Sequence, residues 1–562
     1  MEILYKKNFL YIAGLILVFI LGIFVYFYKL DKIPSGFYID EALPGYNAYS
    51  ILKTGKDEYG KFFPIAFRFY GSYNPPLYTY LTIPSIALFG LNIYAVRFPS
   101  VLFGLLSALV FYLMLKKSEL VKNKLTLLLG FLLFLISPWN LLYSRVGYEV
   151  SLGLLLFSIG VLGMRLGLTK RSWFIIGLLA SSLSTYAAYT ERFLAPLVIA
   201  AYLLIYRRIF FDKSRRGHTV SALVLTLFTQ IPNLYLMTTP AFFPKAEESF
   251  ISLVIAQSVN FNKMIPFWTA FLVNFIKEFI SHYLAYFSPR SLFFLPDPDL
   301  QRSIPELSVL YFWMVIPYFY GIYWLYKNRS RKYAKFLTVI LLLAPIPASL
   351  TKDPFSTHRA LPLLFPMMLV IAHGLDDLVD KLSRVMRICI ITSLILVSLL
   401  SLWRSYFVLL ANERAVYWGY GVESLATEIK KNPEKYFVID QSRIKPPYIQ
   451  LAFFLKYSPQ EFQKLRPDVV KNYYSNLQFD NHYTFANIET RSINWETDIY
   501  KEQILVGDSL SISGNQAKEH FLTNIFEIKD PLGYTVFVGY ETNPREKCRP
   551  IKLKDYRCNI LN

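Results

Sequence analysis

The chain has 562 residues, of which 54% are hydrophobic, 17% aromatic and only 17% charged. It is too apolar for an ordinary soluble protein and too long for a single domain. A formal net charge of +20 does not mark a nucleic-acid binder here, because the basic residues cluster between apolar runs as the cytoplasmic loops of a membrane protein do.

A bilayer-spanning helix needs about 20 mostly apolar residues. Windows of that kind recur through the first ~410 positions and then stop. The expected fold class is a polytopic α-helical membrane protein of about 11, possibly 13, spans with a small C-terminal extracytoplasmic α/β domain. The spans are expected near 8–28, 95–115, 125–143, 150–166, 172–189, 193–206, 218–238, 306–326, 335–350, 360–375 and 388–409. Residues 1–411 form the membrane domain on this reading, and 412–562 the soluble one. No small-residue cleavage site follows the first span, so that segment reads as a retained anchor. Basic clusters at Lys6-Lys7, Lys116-Lys117 with Lys122 and Lys124, Arg165 with Lys170-Arg171, Arg207-Arg208 with Arg215-Arg216, Lys327 to Lys335 and Lys381 to Arg387 place alternate loops in the cytoplasm. An odd number of spans then puts the C-terminal part outside.

Leu30 to Tyr94 is the long first outer loop, rich in Pro, Gly, Tyr and acidic residues. Such loops usually carry function. It opens on Gly36-Phe-Tyr-Ile-Asp-Glu-Ala42. Asp40 and Glu41 are adjacent, so on a helix their side chains diverge by about 100° and cannot form one paired-carboxylate site. Two readings stand at this point. Asp40 is the N-cap of a helix beginning near Ala42, with Glu41 favourable to its dipole, or one of the two is a catalytic carboxylate. Glu41 to Leu52 and Pro76 to Phe89 read as short helices that lie along the membrane surface or dip into it.

A second outer segment, Thr239 to Pro305, has apolar stretches at Phe250–Ala256 and Ile265–Phe287 and room for one extra pair of spans. Beyond Asn412 the pattern turns polar, with a helix over Glu423–Lys431 and strands at Tyr436–Asp440, Tyr483–Ile488, Gln503–Val506 and Tyr534–Tyr540. Cys548 and Cys558 fall in this exported tail, where a disulfide and two unpaired thiols both fit. Cys389 lies in a span as inert packing.

Further polar groups gather on the same outer face: Asp57-Glu58, Tyr73-Asn74, Arg97, Arg145, Glu149, Glu191-Arg192 and His358-Arg359. Ionisable groups at the membrane are costly and commonly functional, although edge residues can snorkel. Ser144-Arg-Val-Gly-Tyr-Glu149 puts both charge signs into one short turn, where a structural ion pair is the competing reading. A carboxylate can act as general base for a nucleophile while arginines hold a phosphate leaving group. Nucleotide sugars and ATP are cytoplasmic, so an outward-facing glycosyl transfer needs a donor carried in the membrane.

Four passages carry a resemblance to the integral-membrane glycosyltransferases of the protein O-mannosyltransferase and aminoarabinose-transferase type. They are Tyr38-Ile-Asp-Glu-Ala42; Tyr73-Asn-Pro-Pro-Leu-Tyr78 with Phe89-Gly and Val96-Arg-Phe-Pro-Ser100; Ser137-Pro-Trp through Arg145 and Glu149; and His358-Arg-Ala-Leu-Pro362 through Gly374. The resemblance implies the C-type glycosyltransferase fold in a prokaryotic plasma membrane, with an extracytoplasmic active site. It implies a polyprenyl-phosphate sugar as donor and a protein, lipid or glycan as acceptor. Asp40 would be the base, Glu41 its polar support, and Glu149 the acidic residue of a second outer loop. Arg145, Arg359 and His358 would hold the donor phosphate, Arg97 would fix the first loop, and Tyr73 and Asn74 would belong to the acceptor loop. Some relatives carry an acidic metal ligand where this chain has Tyr73 and Asn74, so no metal is expected.

A lipid-sugar flippase or transporter is the alternative function. It would place polar sites near the membrane midplane and often show internal symmetry. Here the charges gather outside and no halves repeat. A polysaccharide polymerase or ligase would share the donor class and differ in acceptor. A simple membrane anchor would not need so many spans.

Overall fold

The computed structural model describes residues 2–117, 121, 123–242, 250–261, 265–444, 447–478, 482–549 and 557–558. Lys122 of the expected basic clusters lies outside the described residues. The chain divides into two compact units. The first holds Met1–Leu30, Tyr73–Tyr78 and Arg97–Val408, and the second holds Asp31–Ser72, Thr79–Val96 and Leu409–Asn562.

The first unit is helical. Among the described residues, six helices are long and apolar enough to cross a membrane: Asn8–Phe27, Ile93–Lys117, Val150–Gly167, Lys332–Ser349, Leu361–Lys381 and Arg384–Glu413. Two broken helices qualify if each bent pair is one span: Lys124–Leu135 with Pro138–Ser144, bent by 47°, and Arg216–Phe228 with Ile231–Met237, bent by 50°. The protein is therefore a polytopic helical membrane protein, with six to eight such spans by length and composition where the sequence reading counted about 11. Pro138 and Pro232 bend two of the expected spans, 125–143 and 218–238, without adding to their number. Other expected spans form shorter helices, such as Arg171–Ser184 with 14 residues and Val315–Lys327 with 13. The segment before Pro305, expected on the outer side, contains helices Phe250–Phe261 and Phe267–Ala285.

Small residues set the closest helix pairs. A Cβ on Gly163 would lie 2.6 Å from the Gly177 Cα, and one on Gly374 would lie 1.9 Å from the Pro317 carbonyl oxygen. Helix Val150–Gly167 thus meets Arg171–Ser184, and Leu364–Lys381 meets Val315–Lys327, at backbone contact, as membrane helices do where small residues line their interface.

The second unit is built on a six-stranded sheet in the order Tyr483–Phe485, Ile488–Thr490, Phe437–Ile439, Ile504–Gly507, Thr535–Glu541, Thr523–Lys529. Phe437–Ile439 runs parallel to both its neighbours, and the outer pairs are antiparallel. The stretch expected as one strand, Tyr483–Ile488, is interrupted at Ala486, whose φ of 52° turns the chain back into a hairpin. One face of the sheet packs Phe437, Ile439, Ile504 and Val506 into a core with helices Ile39–Thr54, Val422–Lys431 and Tyr448–Leu455. Most of the first outer loop therefore shares its core with the C-terminal sheet. Gly45 admits the Phe453 ring, which would lie 2.9 Å from a Cβ there, and Gln450 Nε2 donates to the Phe37 carbonyl at 2.6 Å. A disulfide joins Cys548 and Cys558.

Candidate active site

In the second unit, helix Ile39–Thr54 begins with Tyr38 as its N-cap, two residues before Asp40. The Glu41 carboxylate accepts the Tyr38 N–H at 3.3 Å, the reach-back of a third helical residue onto the cap. Glu41 is fully buried and Asp40 half-buried. The capping carboxylate is Glu41, not Asp40, and Asp40 sits in the first turn of the helix.

Asp57 and Glu58, also in this unit, are buried parts of the loop that follows. Asp57 accepts the N–H groups of Lys61 at 2.7 Å and Tyr59 at 3.0 Å, and the hydroxyl of Tyr473. Burial nevertheless pushes its carboxyl up to about 6, against the lowering effect of those donors. Glu58 accepts from Asn47 Nδ2 at 3.1 Å. Both acids hold the loop to its surroundings.

In the first unit, the arginines of the sequence reading separate into two kinds. Arg145 is fully buried, and its guanidinium donates to the carbonyls of Val25 at 2.6 Å, Tyr26 at 2.7 Å and Tyr28 at 2.7 Å. It lies against the rings of Tyr406 and Phe407, 5.3 and 5.1 Å from their centroids. A cation on the last carbonyls of a helix satisfies groups the helix itself leaves open. Arg97 likewise donates to the Leu30 carbonyl at 3.0 Å. Arg192 donates to the Phe242 carbonyl at 2.7 Å, and buried Glu191 accepts from Thr190 at 2.7 Å. Glu149 is half-buried at the head of helix Val150–Gly167, and Tyr73 is fully buried with Asn74 half-buried.

Arg359 belongs to the other kind. Its guanidinium lies 2.9 Å from Asp353 Oδ2, and Arg302 reaches the same oxygen at 3.0 Å. Arg302 also donates to Ser356 Oγ at 2.7 Å and pairs with Asp299 at 3.1 Å. Although partial burial would raise it, the two arginines hold the Asp353 carboxyl below its usual range. Beside them buried Asp297 accepts the N–H of Thr357 at 3.0 Å and its hydroxyl at 2.9 Å, and Tyr143 lies 2.7 Å from that hydroxyl. Burial raises the Asp297 carboxyl despite the neighbouring Arg302. The His358 ring lies 5.9 Å from that of Tyr143 and 6.0 Å from that of Tyr148. Burial, Arg359 and Arg302 push its imidazole down to about 3, so it is neutral near pH 7.

Arg302, Asp353, Asp297 and Thr357 were missed in the sequence. The available signal was two Asp-Pro steps between expected spans, Asp297-Pro298 and Asp353-Pro354, each a few residues before an arginine. Among the described residues no group of three or more His, Cys, Asp or Glu side chains is arranged to hold a metal ion.

Residues 73–235 match the family model described as dolichyl-phosphate-mannose-protein mannosyltransferase. No curated protein matches the chain. Among solved structures, ArnT from Cupriavidus metallidurans bound to undecaprenyl phosphate is similar over 95% of this chain and 98% of that one, at 15% identity and a TM-score of 0.52. The apo form of ArnT matches over 94% and 98%, at 14% identity and a TM-score of 0.53. The archaeal oligosaccharyltransferase AglB from Archaeoglobus fulgidus, in complex with an inhibitory peptide and a dolichol-phosphate, matches over 98% of this chain and 75% of that one, at 12% identity and a TM-score of 0.51. With its helical unit and its sheet unit both inside the matched length, the chain has the GT-C fold of membrane glycosyltransferases, and its segment 73–235 resembles the mannosyltransferase family in sequence.

Proposed function

We propose that the protein transfers a monosaccharide from a polyprenyl-phosphate donor to an acceptor at the extracytoplasmic face of the membrane. The observation that carries this reading is the fold shared over nearly the whole chain with a protein bound to undecaprenyl phosphate and another bound to a dolichol-phosphate. The Arg302–Asp353–Arg359 cluster supports it, because two guanidinium groups aimed at one carboxylate oxygen present the donor geometry that a phosphate also accepts.

In the proposed step the acceptor nucleophile loses its proton to Asp40 and attacks the anomeric carbon of the donor sugar. The bond from that carbon to the phosphate oxygen breaks, and its electron pair leaves on the lipid phosphate. Arg359 and Arg302 hold that leaving phosphate, which must displace or bridge Asp353. Neutral His358 and the Tyr143 hydroxyl supply uncharged contacts beside it. Glu41 keeps the first turn of its helix in place, and Glu149 orients the acceptor. Arg145 has a positioning role at the end of the first helix. A cavity of about 390 Å3 in the first unit is walled by Phe293, Phe294, Phe312 and Leu400 on one hand and by Ser308, Ser401, Ser405 and the Glu306–Arg404 ion pair on the other.

The test is reconstitution of the purified chain in liposomes with a panel of radiolabelled polyprenyl-phosphate monosaccharides. Release of lipid phosphate with label moving to an acceptor is expected for at least one donor. Movement of donor between leaflets without cleavage would replace this reading by the flippase.

A further inference from the structure

Three irregular stretches of backbone meet at the cavity of about 390 Å3 in the first unit. Phe293 and Phe294 come from the π-helical turn Arg290–Phe294, and Arg404 and Ser405 from the π-helical stretch Trp403–Leu410. Glu306 stands at the same cavity with a φ of 57°, a left-handed conformation that residues with a Cβ rarely adopt. Such departures gather at functional sites. Here they bring Glu306 and Arg404 into a two-point ion pair, with Arg404 Nη2 3.2 Å from Glu306 Oε1. The two side chains are 60 and 57% exposed, and a pair so exposed adds little stability. Stability alone does not explain why a strained residue is kept there.

The depth of Arg404 identifies what the cavity faces. Helix Arg384–Glu413 is able to span the membrane, and no charged residue occurs in it between Arg387 and Arg404. At 1.5 Å per residue the run Ile388–Trp403 reaches about 24 Å, most of the roughly 30 Å hydrocarbon core. Arg404 therefore sits at headgroup level in the leaflet opposite Arg387, next to Trp403, as interfacial tryptophans do. Leu400, Phe294 and Phe312, which also line the cavity, are more than half exposed. A cation, an anion and the hydroxyls of Ser401 and Ser405 thus stand together with open apolar side chains, a set that matches a lipid headgroup and its chain.

We propose that this cavity binds a phospholipid with a primary ammonium headgroup, of the phosphatidylethanolamine class. Its phosphate takes the Arg404 guanidinium with the Ser401 and Ser405 hydroxyls beside it, its ammonium donates to the Glu306 carboxylate, and an acyl chain runs along Phe294, Phe312 and Leu400. The charges balance, because one guanidinium–carboxylate pair is exchanged for a guanidinium–phosphate and an ammonium–carboxylate pair. A headgroup that brought phosphate alone would leave Glu306 without its cation. Neither Glu306 nor Arg404 belongs to the arginine cluster assigned to the donor, and this inference does not depend on the transferase reading.

Native mass spectrometry of the full chain in detergent tests it, with phosphatidylethanolamine, phosphatidylcholine, phosphatidylglycerol or undecaprenyl phosphate added at equal concentration. One phosphatidylethanolamine is expected to be retained about 2- to 5-fold more tightly than the others, the range for an exposed charge pair. Glu306→Gln should erase its advantage over phosphatidylcholine, whose quaternary ammonium donates no hydrogen bond, and Arg404→Ala should weaken both. Equal retention of all four lipids by the wild type would overturn the proposal without any variant. Preference for phosphatidylglycerol or undecaprenyl phosphate would show a site for an anion alone and overturn it equally. So would a preference for phosphatidylethanolamine that survives Glu306→Gln, because the headgroup would then be read elsewhere.

Discussion

The turn after helix Pro138–Ser144 and the segment before Leu361 each carry an arginine that the sequence presents alike, yet their surroundings are opposite. Arg145 is wholly buried, with its guanidinium on three carbonyls and two rings. Arg359 is 25% exposed in its side chain and shares a 38% exposed carboxylate with Arg302. A buried cation on backbone acceptors is part of the fold. A partly exposed cation on an exchangeable carboxylate can change partners, and that difference separates a positioning residue from a ligand-binding one.

Substitution sharpens this contrast. Arg145→Ala leaves buried carbonyls at a helix end without their donors and should cost about 3–5 kcal/mol of stability, read as a lower thermal midpoint in detergent. A stable Arg145→Ala protein with only donor affinity impaired would return Arg145 to the phosphate. Buried Asp57 tests the other class of charged residue, the acid held inside the fold. Its folded carboxyl titrates at about 6 against 3.8 for the free group, so the fold prefers it protonated. Its contribution is fully present below pH ~4 and is lost as pH rises through ~6, amounting to about 2–3 kcal/mol. Asp57→Asn should flatten that part of the stability profile, and an unchanged slope between pH 4 and 6 would show that another group is responsible.

Arg359→Ala should leave the thermal midpoint nearly unchanged and raise the donor KM about 10- to 100-fold, the loss of a charge-assisted contact of roughly 1.5–3 kcal/mol. Donor affinity equal to wild type would remove Arg359 from the phosphate site. Smallest is the effect of Asp353→Asn. Removing the carboxylate that competes for both guanidinium groups should lower the donor KM by a factor of about 2–5, under ~1 kcal/mol. A higher KM would mean that Asp353 orients the arginines more than it blocks them.

The spans with uninterrupted apolar runs were legible in the sequence, as in Ile93–Lys117 and Val150–Gly167, because the signal is composition over one local window. The broken helices were each read as one straight span, since hydropathy does not see the bends at Pro138 and Pro232, and other expected spans form helices shorter than a full crossing, such as Val315–Lys327. Strands such as Phe437–Ile439 and Ile504–Gly507 were found by their apolar runs, whereas Thr523–Lys529, mostly exposed at the sheet edge, carried no such pattern. The core shared by the first outer loop and the C-terminal sheet depends on contacts about 400 residues apart, such as Gln450 with Phe37, for which no local pattern exists. Among the candidate residues, Asp40, Glu149 and Arg359 stood out in the sequence as charges at the edges of expected spans. Arg302 and Asp353 did not, because only folding brings the 297–303 and 351–360 segments together.

The most direct test of the central claim is transfer of label from a polyprenyl-phosphate sugar by wild-type and Asp40→Asn protein in parallel, with folding checked by thermal midpoint. The account predicts transfer by the wild type and a loss of about 10²- to 10⁴-fold in the variant, the range for removing a general base, with both midpoints alike. Near-normal turnover by folded Asp40→Asn would contradict it.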